Sequence, residues 1–461
     1  MTHYRRASRV PVSADRLYAW HAAPGAFERL APPWEDIREV RRRGGLEVGA
    51  ETRFVVRKGP VGLPWVARHD AHEAGRMFAD VQDQGPFAAW RHVHRFEPLG
   101  ERESLLVDEV DYDAPLGPLG ALVAGPMLAA MVTRMFEFRH ARTLADLARH
   151  ERHAAAGPRR ILVSGASGLI GRALVAFLQG GGHEVVRLVR RPAGPGEVQW
   201  DPERGVLDPQ ALEGFDAVVH LAGEGIAEGR WTAERKARIL RSRTEGTRVL
   251  SAALAGLARK PEVLISASAI GFYGDRGNEP LDETAEPGRG FLADVTRAWE
   301  AAAAPAQDAG IRVVWLRTGI VLSPRGGALA QMLPPFQLGL GGPVGSGRQV
   351  MSWIALDDLV GAIHHALFTP ALRGPVNGTA PAPVTSTEFG RVLGHVLGRP
   401  AVLPLPGLAV RTLFGEMGEA LLLGGARVQP GALTASGFTF LCPSLEQALR
   451  HELGLPAAAP A

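Results

Sequence analysis

Ser268 and Tyr273 stand five residues apart in LISASAIGFYGDRGNEPLDE (264–283), where an apolar run breaks into a glycine-containing loop. A phenol and a hydroxyl at the end of a buried strand suit proton transfer to or from a substrate oxygen, provided a cation beside the phenol lowers its pKa. Upstream, ILVSGASGLIGRAL (161–174) places Gly165, Gly168 and Gly171 at G-x-x-G-x-x-G spacing between an apolar run and a helical pattern. Glycines there permit a tight turn and a close approach of a pyrophosphate to the backbone, and the helix start offers free N–H groups. The segment Gly165, Ala166, Ser167, Gly168, Leu169, Ile170 and Gly171 is therefore the expected dinucleotide cradle. Leu221, Ala222 and Gly223, closing the later strand DAVVHLAG, supply small residues against which the adenosine and ribose can lie.

The second strand of this region ends in Arg190 and Arg191 rather than an acid. An acid would bond the ribose hydroxyls of NAD, whereas a guanidinium pairs with a 2′-phosphate, so NADP(H) is expected in preference to NAD(H). Arg348, in GSGRQ, can orient an anionic group of a small-molecule substrate but cannot act as an acid at neutral pH.

These residues need elements to hold them. From Arg160 onward, near-continuous apolar strands alternate with helical patterns, which demands a parallel sheet covered on both faces: a Rossmann-type doubly wound α/β domain over 160–400. Before it, across a polar stretch at 149–160, short alternating strands follow a helix capped by Ser13, with Leu17 and Trp20 facing inward. A long helix from Gly117 to His150 ends this α+β part, 1–150, with Met131, Met135 and Phe138 at helical spacing. His92 and His94 in WRHVHRF have no carboxylate or cysteine beside them in sequence, so they read as polar surface or pocket-lining residues, and no metal is expected. Lys236 reads as part of a solvated helix face, and Asp357 and Asp358 as acids at a helix N-terminus.

A chain of 461 residues exceeds one core, and 46% hydrophobic with 21% charged residues is ordinary for a globular protein. A net charge of +3 with dispersed arginines argues against a nucleic-acid binder. The uncharged run Leu116–Val132 is short and interrupted by Gly and Pro, so a packed helix is expected rather than a membrane span. One cysteine, Cys442, fits a reducing, cytoplasmic setting. Oligomeric state is left open.

HAAPGAFERLAPPWE and GPFAAWRHVHRF, with the order of the first part's segments, resemble the helix-grip domains of the START and polyketide-cyclase superfamily. That resemblance implies an apolar ligand held between sheet and helix. The glycine turn, GEGIAEGRWTAERKARILRSRTEGT, ISASAIGFYG and LPPFQLGLGGPVGSGRQVMSWIALDDL resemble the extended short-chain dehydrogenase/reductase superfamily and, within it, the atypical epimerase-family proteins. Residues 403–453 resemble the small domain of unknown function appended to that family. The resemblance implies an NADP(H)-binding oxidoreductase or epimerase-like enzyme, with Ser268 as the superfamily serine. The alternatives it leaves are a cofactor-bound sensor or scaffold, or an apolar-ligand carrier. The superfamily's Tyr-x-x-x-Lys pair has no counterpart: Phe291 or Leu292 fills the tyrosine position, and Val295 or Thr296 the lysine position.

Overall fold

In the computed structural model, which describes residues 1–115 and 117–456, two compact units are resolved, one built on Met1–Gly157 and one on Pro158–Val175 and His183–Glu452. Leu116, the first residue of the uncharged run, lies outside the described residues. Among the described residues no helix is long and apolar enough to cross a membrane.

The first unit is a seven-stranded antiparallel sheet. β1 (Thr2–Val10) pairs with β7 (Glu103–Asp113), followed by β6 (Ala89–Gly100), β5 (Met77–Gln84), β4 (Val61–Glu73), β3 (Glu51–Lys58) and β2 (Asp36–Arg43). α1 (Ala14–Ala22) begins where the Ser13 hydroxyl accepts the Arg16 N–H, and it buries Leu17 and Trp20. α2 (Ala26–Leu30) follows, and α3 (Gly117–Arg152) closes the unit. Val132 and Phe136 of α3 pack with Phe87, Trp90, Val110 and Tyr112, while Leu147 joins the Leu17–Trp20 cluster. The buried stripe of α3 is displaced from the expected one: Phe138 is buried, but Met131 is exposed. The reason is polar, since His140 lies in the sheet-facing row and bonds Asp108 of β7, so apolar spacing alone does not set the face.

His92 and His94 are not on the surface. Trp90, His92, His94 and Phe96 alternate along β6 and all point inward, with His92 3% and His94 6% exposed.

The second unit carries an eight-stranded sheet. Its strands are β8 (Arg160–Ser164), β9 (Glu184–Val189), β10 (Glu197–Asp201), β11 (Val206–Leu207), β12 (Ala217–His220), β13 (Val263–Ala269), β15 (Arg312–Thr318) and β19 (Gly374–Gly378). The order β11-β10-β9-β8-β12-β13-β15-β19 is parallel except for the β10–β11 edge pair. Sequence order reverses between β8 and β12, the switch point at which doubly wound folds bind ligands beyond the strand ends. α4 (Leu169–Gly180), α5 (Ala233–Ala255), α6 (Phe291–Ala301) and α7 (Ala304–Asp308) connect these strands. β14 (Pro280–Leu281), β16 (Ile320–Leu322), β17 (Val350–Met351) and β18 (Trp353–Ala355) form small ladders beside the sheet, with α8 (Gly327–Gln337) and α9 (Leu356–Phe368).

Asp357 and Asp358 sit in the first turn of α9 and are buried; Asp358 accepts the N–H groups of Leu441 and Cys442, and Asp357 accepts from His451 Nε2. They fasten the C-terminal segment. Asp357 and Asp358 are thus where the sequence places them, whereas Lys236 differs from expectation, because its ammonium bonds Glu416 at 2.6 Å and lies 5.1 Å from the Phe291 ring centre.

In the first unit Arg29 of α2 makes two 2.6 Å bonds to Asp146 of α3, both side chains being almost fully shielded. Replacing Asp146 by Ala leaves that guanidinium without its carboxylate in a dry interior and should cost about 3–5 kcal/mol in denaturant unfolding. A loss below about 1 kcal/mol would show that water compensates it.

Candidate cofactor and reaction site

The glycine turn joins β8 to α4. Gly165 has φ +67°, and a Cβ on it would lie 2.7 Å from the Leu221 carbonyl carbon; a Cβ on Gly171 would lie 2.2 Å from the Gly165 oxygen. Only glycine fits either place. The turn is closed by the Gly168 N–H on the Gly165 carbonyl at 3.0 Å, and Arg172 Nε donates to the Ser167 carbonyl at 2.6 Å. Ser167 and Gly168 are exposed, while Ala166, Leu169 and Ile170 are half-buried. The structure thus brings Gly165–Gly171 against Leu221–Gly223 at the switch point.

Beneath the turn, the Ser164 hydroxyl accepts the N–H groups of Leu221 (3.1 Å) and Ala222 (3.3 Å), so its proton goes to Nδ1 of His220 at 2.6 Å. His220 therefore accepts there and is held neutral; burial pushes its pKa down to about 4. HLAG is expected to line the cofactor, and within it the histidine is the post that fixes Leu221 and Ala222 through Ser164.

The two arginines after β9 part company. Arg191 pairs bidentately with Glu197 at 2.7 and 2.6 Å, which raises its pKa and lowers that of Glu197. Arg190 is exposed and has no side-chain hydrogen bond or ion pair among the described residues. Of the two, Arg190 alone has its guanidinium unengaged. Arg243 of α5 stands on the other side: its guanidinium carbon lies 3.6 Å from where a Cβ on Gly223 would sit and 5.0 Å from the Trp299 ring centre. Desolvation lowers its pKa to about 10, so it remains a cation.

Ser268 and Tyr273 meet through residues the sequence reading did not single out. Ser268, Arg317 and Asn377 are register partners across β13, β15 and β19, a row of polar residues on one line. The Ser268 hydroxyl donates to Glu300 of α6 at 2.6 Å, and Glu300 receives Nε and Nη2 of Arg317, each at 2.9 Å. Arg317 Nη1 donates to the Tyr273 oxygen at 3.0 Å, and Tyr273 donates to Asn377 Oδ1 at 2.7 Å. The Asn377 N–H in turn donates to Glu283 at 2.9 Å, as does the Ala432 N–H at 3.1 Å.

Tyr273 is fully buried, packed with Phe272, Leu281, Ala426 and Val428. Burial pushes its phenol up, and the charge and hydrogen bond of Arg317 offset this only in part. Arg317 itself is raised: burial opposes its charge, but Glu300 outweighs that. At the positions of the missing pair, Phe291 and Leu292 are half-buried, and the Thr296 hydroxyl donates to its own helix at Leu292 and Ala293. Arg348 is exposed, its backbone N–H donating to Ser346 Oγ.

Comparison with known proteins fits this geometry. Residues 161–376 match the model of the NAD dependent epimerase/dehydratase family, 405–452 a domain of unknown function, and 10–138 the family described as polyketide cyclase/dehydrase and lipid transport. The epimerase family protein Mb2239 of Mycobacterium bovis is 48% identical over 299 residues, spanning 64% of this chain and 98% of that protein. The chain belongs to the epimerase family. Human epimerase family protein SDR39U1 is 38% identical over 295 residues, 63% of this chain and 99% of that protein. A crystal structure of human SDR39U1 (isoform 2) with NADPH superposes with a TM-score of 0.59 at 37% identity, covering 64% of this chain and 99% of that one. The nucleoside-diphosphate sugar epimerase from Corynebacterium glutamicum matches 98% of this chain and 90% of its own, with a TM-score of 0.80 and 35% identity. Epimerase-family architecture with a helix-grip unit ahead of it therefore extends across nearly the whole chain.

His220 gives a pH test with a defined sign. Above its ordinary value of 6.5 the ring is neutral folded or unfolded; below it the unfolded chain takes up a proton that the folded chain refuses until about pH 4. Stability should fall across that window by roughly 3 kcal/mol from this group. His220→Asn, which keeps an acceptor for Ser164, should flatten the wild-type slope between pH 6.5 and 4. An unchanged slope would show that His220 does not carry it.

Proposed function

We propose that this epimerase-family chain binds NADP(H) in preference to NAD(H) and acts as an oxidoreductase or epimerase-like enzyme on a small substrate. The observation that carries the cofactor half is the free Arg190 fork at the end of β9, beside a turn that admits only glycine at Gly165 and Gly171. NADPH in the human SDR39U1 crystal structure supports the same assignment. The residues fit the group: Gly165–Gly171 and the α4 N-terminus for the pyrophosphate, Leu221–Gly223 for the adenosine side, Arg190 for the 2′-phosphate. When bound, the nicotinamide supplies or accepts a hydride.

The chain's own residues then orient and stabilise. Ser268, near the end of β13 and bonded to Glu300, is the proposed reacting hydroxyl, which would exchange that bond for one to a substrate oxygen. Tyr273 is proposed as a positioning residue: its hydroxyl is committed to Asn377 and Arg317, and burial makes it a poor acid. Arg243, a cation beside Gly223, supplies fixed positive charge there but is no acid at neutral pH. Arg348 is the proposed anion contact for substrate. The name of the Corynebacterium relative makes a nucleoside-diphosphate sugar the first substrate class to screen. The proposed division is 1–150, 160–400 and 403–453, in the cytoplasm, with an apolar ligand assigned to the first part.

One observation favours a second reading. Every hydroxyl expected to do acid–base work is engaged in a buried bond, as a cofactor-holding sensor or scaffold would tolerate. Oxidation of bound NADPH by any sugar nucleotide decides for the enzyme; none across a broad screen decides for the sensor.

Titration with NADPH and NADH tests the cofactor claim. Arg190→Ala should weaken NADPH by about 10- to 100-fold and leave NADH within about twofold, whereas Arg191→Ala, already paired with Glu197, should do less. Equal loss of both cofactors in Arg190→Ala would contradict a 2′-phosphate contact.

A further inference from the structure

The first unit holds a polar cluster that the cofactor reading does not use. Asp80, His92, His94 and Asp108 lie on the α3-facing side of β5, β6 and β7, where antiparallel register sets Asp80 opposite His92 and His94 opposite Asp108. His140 reaches in from α3, its Nε2 2.7 Å from Asp108 Oδ2 and its Nδ1 2.9 Å from Ser8 Oγ.

Asp108 also faces one nitrogen of each β6 histidine: His92 Nε2 at 2.8 Å and His94 Nδ1 at 2.7 Å. A carboxylate on one nitrogen fixes the tautomer and leaves the other as a lone-pair donor, the arrangement found behind metal-bound imidazoles. His92 Nδ1 faces Asp80 Oδ1 at 3.6 Å, too far for a hydrogen bond. Two donors on a tetrahedral ion with bonds of about 2.1 Å stand about 3.4 Å apart, so that gap suits a shared cation.

Asp80, His92 and His94 each offer a ligand atom, and these atoms lie within 4.8 Å of one another. His94, with its side chain only 8% exposed, is held on Asp108 through Nδ1, which leaves Nε2 as its donor to an ion. A second observation points the same way: the buried Nδ1 of His69, on β4 directly opposite Asp80, has no hydrogen-bond partner among the described residues. Arg139 of α3, the nearby permanent cation, donates Nε to the Leu30 carbonyl rather than to either carboxylate.

We propose that Asp80, His92 and His94 bind one divalent transition-metal ion of the zinc class, with Asp108 orienting both imidazoles. Two imidazoles and a carboxylate select such an ion over calcium or magnesium, which take oxygen donors. Three protein donors leave a coordination position open to His69, water or a ligand oxygen beneath α3.

The test uses the full-length chain, stripped with chelator and titrated with Co²⁺ by visible absorption, then back-titrated with Zn²⁺, with metal content measured by mass spectrometry. One equivalent of Co²⁺ with the intense bands of a four- or five-coordinate site, displaced by Zn²⁺, is expected. Asp80→Asn, nearly isosteric and at a partly exposed position, and His94→Ala should each remove stoichiometric binding. Asp108→Asn should weaken it about 10- to 100-fold. His395→Ala, at an exposed histidine, should change nothing. NADPH affinity and the circular dichroism spectrum report whether each variant is folded. No stoichiometric Co²⁺ uptake by the wild type, or uptake unchanged in folded Asp80→Asn and His94→Ala, would overturn the proposal.

Discussion

The second unit depends on one buried ion pair. Arg317 and Glu300, with side chains 5% and 10% exposed, join the C-terminal end of β15 to α6, and the Ser268 and Tyr273 hydroxyls are bonded to that pair. Such a pair need not raise net stability, because removing two charges from water costs about what their attraction returns. Its effect is geometric. Glu300 holds the Ser268 hydroxyl, Arg317 holds Tyr273, and Tyr273 holds Asn377, so three parallel strands and a loop share one hydrogen-bonded line. Phe272 caps that line, its ring centre 3.4 Å from the Arg317 guanidinium carbon.

This fastening sets the shape of the strand ends from within the sheet. The cofactor turn is made of backbone, and its demands are steric: no Cβ at Gly165 or Gly171, and a Ser164–His220 post below. The region beyond the strands is held from the C-terminal side, by Asp358 on Leu441 and Cys442, by Glu283 on Ala432, and by Lys236 on Glu416.

Much of this was legible in the sequence. Apolar runs alternating with helical patterns identified the parallel sheet, the glycine spacing located the turn, and Ser13 marked a helix start, because these signals are local. What escaped was set by strand register and by long-range pairing. Asp80 and Asp108 are 12 and 14 residues from the nearer of His92 and His94, yet lie opposite those two residues in the sheet. Glu300 and Arg317 are 17 residues apart and meet only through the packing of α6 on β15, and Lys236 meets a partner 180 residues away. Arg190 and Arg191 were equivalent as letters, but Glu197 at the start of the next strand claims one of them.

A double-mutant cycle on Glu300→Leu and Arg317→Met, read from the unfolding transition of the second unit, tests the central constraint most directly. If the pair holds the site, each single variant loses about 3–5 kcal/mol. The double variant is then more stable than additivity allows by about 2–3 kcal/mol, since neither charge is left buried alone. Additive losses within about 0.5 kcal/mol would contradict it, and the line from Ser268 to Asn377 would then be a consequence of the fold rather than what fixes it.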